Sequence, residues 1–322
     1  MFIYRFVQLR RVYFIVSAVV IGIGLLSMGY SLVTRGSVFP LGIDFVGGTI
    51  FEIRFESDGM TESGLRDVFA AEGITSLSIQ RIGPPEEYRW SVRSGFQSVQ
   101  TIESILDDLD AIVPIDRERS RTETISASVG AEASRAAVIA VFVATLVVTG
   151  FIVVAFRSVP NAVRYGVCAI LAMFHDVLIV CGFASVFGLL LGWEVDALFL
   201  TAVLTVVGFS VQDTIVMFDR IRENIPKFLG EPYDAIVNRS VLETMHRSLA
   251  TQLNAFFIMI AILLFGGESI KQFIAILFIG LLTGTYSSLF IAVPLLASWE
   301  KGELPLISRK RPAVPVVQPS ET

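Results

Sequence analysis

Along the chain, six windows carry almost nothing but apolar residues: Val12 to Val33, Val138 to Phe156, Gly166 to Gly192, Val195 to Phe218, Ser248 to Phe265 and Phe273 to Trp299. Each is close to the ~20 residues that a helix needs to cross roughly 30 Å of hydrocarbon. No water is available there to satisfy backbone amides, so each window must be helical. Between the first two windows the pattern changes. Ile50-Phe51-Glu52-Ile53-Arg54-Phe55 alternates with the period of a half-buried strand. Thr61 stands ready to cap a helix whose Leu65, Val68 and Phe69 share one face before Gly73 ends it. Strand-like pieces follow at Ser76 to Ile82 and Tyr88 to Val92. A second helix from Ser98 places Ile102, Ile105, Leu106 and Leu109 at helical spacing, and a last strand falls near Thr122 to Ser126. Strands flanking two amphipathic helices suggest a compact α+β module. The predicted architecture is a membrane all-α bundle of six transmembrane helices with one α+β domain inserted after the first.

Composition fits that picture, with 53% hydrophobic residues, 17% charged and a mean hydropathy of +0.69, too apolar for an ordinary soluble domain. Lys and Arg favour the cytoplasmic side of short connections. Arg5, Arg10 and Arg11 precede the first window, and Arg157 and Arg164 separate the second and third. Arg220, Arg222, Lys227 and Arg239 separate the fourth and fifth, and Lys301, Arg309, Lys310 and Arg311 follow the sixth. Both termini are therefore predicted inside. The chain divides into 1–33, the N-terminus and first helix; 34–137, the α+β domain outside the cytoplasm; 138–299, helices two to six with a cytoplasmic connection at 219–247; and 300–322, a disordered tail. The first window has the basic flank of a signal peptide, but its apolar run is too long and no small-residue cleavage site follows, so it reads as an anchor. Cys168 and Cys181 are 13 residues apart on one helix, too far for a disulfide. The net charge of −5 argues against a nucleic-acid partner.

The chain has no Gly-x-x-x-x-Gly-Lys-Ser/Thr loop, so energy for any work must come from a gradient or a partner. The inserted domain holds no catalytic constellation, and no enzymatic activity, cofactor or metal is expected. Candidate chemistry lies in the spans. Asp213 stands about 9 Å inside the end of the fourth, and intramembrane charges of this kind serve ion or proton movement by default. Arg247 opens the fifth span from the same side and can reach it. Such a pair can work as a proton-coupled device or stand as a static link that fixes helix packing. His175-Asp176 sits in mid-span on the third helix. Neighbours there point about 100° apart, so both cannot face one lipid-free surface equally well, and the pair reads as a structural hydrogen bond or as a proton relay. Asp219, Arg220, Arg222 and Glu223 read as a solvated anchor at the helix end, with Asp219, Arg220 and Arg222 open to a relay role as the alternative. Gln252 and Asn254 are expected to bridge helices, and Gly280 with Gly284 to make a close helix contact.

Four patches fall in a familiar order: Gly42-Ile43-Asp44-Phe45-Val46-Gly47-Gly48-Thr49, Gly208 to Glu223 around Gln212-Asp213-Thr214, His246-Arg247-Ser248, and Gly284-Thr285-Tyr286-Ser287-Ser288-Leu289-Phe290. Together they resemble the SecD and SecF family of protein translocase subunits, relatives of the resistance-nodulation-division transporters. The likeness covers about residues 1 to 300. Phe209, Gln212 and Ser248 stand where the family often has Tyr, Asn and Thr. The resemblance implies a ferredoxin-like periplasmic domain, location in the bacterial inner membrane and partnership with SecD. It also implies work beside the SecYEG channel and YajC on unfolded polypeptide already pushed in by SecA. In the family an acid of the fourth helix and an arginine at the start of the fifth are linked to proton passage. These map onto Asp213 and Arg247, with a further carboxylate expected from SecD. The length suggests a free-standing subunit rather than a fusion. A proton-driven small-molecule transporter is the alternative, but such chains usually carry two six-helix halves. An intramembrane aspartyl protease would want Gly-x-Gly-Asp, and the run before Asp213 reads Phe-Ser-Val-Gln.

Overall fold

Six long apolar helices answer the six windows. The structure is a computed structural model that describes residues 6–157 and 162–303. Arg5, the tail from 304 onward and its basic residues lie outside the described residues. In chain order the elements are α1 (Arg10–Arg35), a single-turn α2 (Ile43–Val46), β1 (Gly48–Arg54), α3 (Glu62–Ala71), β2 (Ser78–Ile82), β3 (Arg89–Ser94), α4 (Val99–Ile112) and β4 (Arg121–Ile125). Then come α5 (Ala127–Phe156), α6 (Ala162–Leu190), α7 (Ala197–Lys227), α8 (Tyr233–Phe265), α9 (Glu268–Ser287) and α10 (Val293–Glu300). A π-helical segment, Ser288–Ala292, joins α9 to α10 within the sixth span.

The inserted domain is one antiparallel sheet in the order β2-β3-β1-β4. Strand alternation turns Phe51 and Ile53 of β1 toward α3 and α4, where Leu65, Phe69, Ile105 and Leu109 close the core. Both helices start where a hydroxyl satisfies an orphan amide: Thr61 Oγ1 accepts from Gly64 N at 3.1 Å and Ser98 Oγ from Thr101 N at 3.2 Å. The opposite, polar face of the sheet looks onto the end of the bundle. Between them lies a cavity of about 650 Å³ whose lining includes Glu52, Arg93, Glu123, Glu194 and Asp196. Burial lowers the Arg93 pKa to about 10, against the attraction of Asp196. Burial, with the neighbouring Asp44 carboxylate adding to it, raises that of Asp196.

Backbone contacts dock the domain. Gly42 N donates to Val195 O and Val195 N to Pro40 O, both at 2.8 Å, and Asp44 Oδ2 accepts from Ala197 N at 2.9 Å. Arg93 pairs with Glu194. Gly47 turns the chain into β1 at φ +77°, and a Cβ there would come within 2.8 Å of the Ala127 backbone at the start of α5. Only glycine tolerates both demands.

Within the bundle, α6, α7 and the sixth span form the buried centre, while α1, α5 and α8 keep most of their apolar surface outside. Small residues let backbones approach. A Cβ on Gly24 of α1 would lie 2.8 Å from the Cα of Gly182 on α6. Gly280 and Gly284 of α9 face Val206 and Ser210 of α7, the close contact their spacing predicts. Within the predicted connection at 219–247, only residues 228–232 are non-helical, because α7 runs on to Lys227 and α8 is continuous from Tyr233. The polar residues at the end of α7 hold helical geometry through pairs one turn apart, Asp219 with Arg222 and Arg220 with Glu223.

Candidate functional site

The polar centre of the bundle is His175-Asp176. His175 is 7% exposed and Asp176 0%. His175 Nδ1 lies 2.9 Å from Asp176 Oδ1, and its Nε2 lies 2.9 Å from Ser17 Oγ on α1. The second carboxylate oxygen, Oδ2, accepts from Ser210 Oγ of α7 at 2.5 Å and Ser287 Oγ of α9 at 2.6 Å. The Tyr286 ring stacks on the imidazole, with centroids 6.2 Å apart, while its hydroxyl donates to the Tyr13 carbonyl at 3.0 Å. One dyad thus gathers side chains from four helices. The expectation that two residues 100° apart cannot face one lipid-free surface equally well is corrected here. It assumed a helix with a single protected face, whereas α6 packs α1 on one side and α7 with α9 on another. The serine partners lie on the seam that carries Gly280 and Gly284, which continues to Ser287 and meets Ser210.

Asp213 occupies a different setting. It is half-buried on α7 and accepts a 2.6 Å hydrogen bond from Gln252 Nε2 of α8. So Gln252 does bridge helices, as its type and position predict, whereas Asn254 is exposed. The anticipated Asp213–Arg247 contact is not made. Arg247 is exposed and, among the described residues, forms no ion pair. Five residues separate it from Gln252, about 140° around the helix. The rotation of α8 that brings Gln252 to Asp213 therefore turns Arg247 away. Around Asp213, α7 and α8 also expose Gly208, Gln212, Thr251 and Asn254.

Asp219, Arg220 and Arg222 form a partly exposed helix-end cluster. Arg222 pairs with Asp219 at 2.5 Å and Arg220 with Glu223 at 2.9 Å and Glu243 at 2.7 Å. Asn224 adds bonds to Ser240 at 3.0 Å and Glu243 at 2.8 Å, so the cluster clamps α7 to α8. No group of three or more potential metal ligands occurs among the described residues.

A six-span bundle carrying an inserted α+β domain and acids within its spans defines a multi-pass membrane protein with ionisable groups in its interior. Two family models match: "Protein export membrane protein SecD/SecF, C-terminal" over residues 105–302 and "SecD/SecF GG Motif" over residues 30–58, the stretch that holds Gly47 and Gly48. The chain belongs to the SecD/SecF family of protein export membrane proteins. It is 41% identical to a protein translocase subunit SecF of Anaerolinea thermophila over 266 residues, 82% of this chain and 85% of that one. It is 34% identical to the SecF of a Synechocystis strain over 299 residues, 90% and 92% of the two chains. The crystal structure of SecDF from Thermus thermophilus superposes with a TM-score of 0.73 at 30% identity. That match covers 92% of this chain and only 38% of the SecDF chain.

Proposed function

We propose that this chain works in Sec-dependent protein export as the partner of a SecD protein and uses the proton gradient to promote late translocation and release of unfolded polypeptide. The observation that carries this reading is Asp213: a carboxylate inside a membrane span, half-buried, held by one neutral amide. A carboxylate without a countercharge, in reach of a hydrated or partner surface, is suited to take up and lose a proton.

Its surroundings support a partner. Gln212 and Asn254 expose amides that lipid cannot satisfy, and Arg247 exposes a guanidinium near the same helix pair. A second chain that supplies a carboxylate and polar groups would complete this face. A rotation of α8 would exchange Gln252 for Arg247 at Asp213, giving the carboxylate a neutral or a cationic partner in turn.

The β-α-β-β-α-β order and the sheet order β2-β3-β1-β4 favour a ferredoxin-like reading of the inserted domain. Arg10, Arg157, Arg164, Arg220, Arg222 and Lys301 gather at the bundle end opposite that domain, which supports cytoplasmic termini and a periplasmic domain in the bacterial inner membrane. On this view the SecYEG channel, with YajC beside it, delivers the chain that SecA has started, and helix movement at Asp213 reaches the domain through the docking contacts at Asp44 and Val195.

The test is export into inverted membrane vesicles. With Asp213→Asn, the increment of export that a proton gradient adds over ATP alone should vanish while the SecD complex still assembles. Normal gradient-dependent export by that variant at full expression would overturn the reading. Efflux of a small molecule by the chain purified without SecD would favour the transporter alternative.

A further inference from the structure

We infer, deepening the proton-coupled reading above and resting on it, that His175 and Asp176 form a second proton-holding centre of the bundle, one that grips α1, α7 and α9 in one charge state and loosens them in the other. The geometry is specific. Asp176 has no solvent exposure, and three donors converge on its two oxygens: His175 on Oδ1, Ser210 and Ser287 on Oδ2. No arginine or lysine pairs with it among the described residues. Facing the dyad from the packed helices are Ser17 and Tyr13 of α1, Ser210 of α7, and Ser287 and Tyr286 of α9. Asp213 lies one turn beyond Ser210 on the same helix, and the apolar stretch of α5 packed on α6 carries no titratable group.

A net charge in such an interior is costly. Holding one proton, the dyad is neutral overall, as imidazole and carboxylic acid or as imidazolium and carboxylate; after release it is imidazole beside a carboxylate with one negative charge, which the three converging donors offset. Loading forms an N–H or O–H bond with a proton drawn from the gradient, release breaks it toward the next acceptor, and no other bond changes. Ser17, whose hydroxyl both donates and accepts, is the group through which a proton reaches Nε2. Charge on the carboxylate decides how tightly Oδ2 holds the two serines, because hydrogen bonds to an ionised acceptor are roughly twice as strong as neutral ones.

Ser287 gives this consequence at a distance. It is the last residue of α9 and immediately precedes the π-helical segment Ser288–Ala292, with Pro294 about two turns on. The dyad therefore grips the sixth span where its hydrogen-bond register changes. Such π segments inside α-helices are rare, and those that occur are frequently at functional sites. Releasing Ser287 frees α9 from α6 at that point.

The experiment uses the full chain, co-expressed with SecD and reconstituted in vesicles loaded with a pH-sensitive dye. Proton flux under an imposed gradient is recorded against pH for wild type, Asp176→Asn, Asp176→Glu, His175→Gln, Ser287→Ala and Asp213→Asn. Asp176→Asn and His175→Gln should each lower flux about a hundredfold, the usual scale for a positioned proton-transfer group. Asp176→Glu should restore part of it. Ser287→Ala, which leaves the dyad in place, should assemble normally and displace the pH midpoint of flux. Wild-type flux and pH profile in Asp176→Asn would reduce the dyad to a structural link while leaving the Asp213 reading intact. Should Asp176→Asn fail to assemble, an unchanged pH profile in both His175→Gln and Ser287→Ala would overturn the inference equally. Loss of flux in Asp176→Asn with normal flux in Asp213→Asn would instead sink the Asp213 reading and keep the dyad.

Discussion

Asp176 and Asp213 are both carboxylates within membrane spans, yet their surroundings differ in completeness. Every acceptor site that Asp176 uses is filled from within this chain, by side chains of α6, α7 and α9. Asp213 has one intrachain partner, Gln252, and its remaining surface opens toward the face where Gln212, Arg247 and Asn254 are exposed. A closed shell fixes one arrangement of helices and changes only when a proton does. An open shell leaves room for a partner to decide the state of the acid. On the proposed reading, the inner acid is a property of the subunit and the outer acid a property of its complex with a partner.

Stability measurements should separate the two most sharply. Asp176→Ala strands three buried donors and breaks a buried pair, a change that costs about 3–5 kcal/mol. The purified chain should unfold well below wild type in detergent, or accumulate poorly. Asp213→Ala removes a single hydrogen bond to a charged acceptor, a loss of about 1.5–3 kcal/mol in full burial and less at this half-exposed site. Equal stability losses from the two substitutions, read by thermal unfolding of the full chain, would erase the contrast.

How much of this was legible in the sequence depends on the range of the determining interactions. The spans, the strands and both capped helices of the inserted domain follow from local pattern: Thr61 and Ser98 cap where their positions predict. Gly280 and Gly284 made the α7–α9 contact legible because small-residue spacing encodes it directly. What the pattern could not convey was the number of neighbours around α6. With one protected face, His175 and Asp176 compete; with packing on several sides, both are buried. Nor does spacing fix helix rotation. Gln252 and Arg247 both stand within reach of Asp213 by depth, and only the azimuth of α8 selects the glutamine.

That azimuth gives the third prediction. If α8 turns Arg247 outward until a partner or a protonation event draws it in, Gln252→Leu should lift the competition for Asp213 without loss of fold. The stability coupling between Asp213 and Arg247, read by a double-mutant cycle of Asp213→Asn and Arg247→Gln in thermal unfolding, should be larger in the Gln252→Leu background than in the wild-type background. No change in that coupling would mean that the glutamine does not hold the outer acid in its present state, and the open shell would lose its one internal constraint.

The smallest effect belongs farthest from both acids, at the contact between the domain and the bundle. Glu194→Gln removes the charge that pairs with Arg93 but keeps the backbone carbonyl that accepts from Gln272 and the paired strand segments around Val195. Partly exposed ion pairs contribute about 1 kcal/mol or less, so unfolding temperature should barely move. Hydrogen exchange should still quicken at the amides of Gly42 and Val195, whose hydrogen bonds join the segment before the sheet to the residues ahead of α7. If exchange there stays as slow as in wild type, the backbone bonds alone hold the domain. Movement at either acid would then have to reach it through α5, which runs without a break from Ala127 at the foot of the sheet into the membrane.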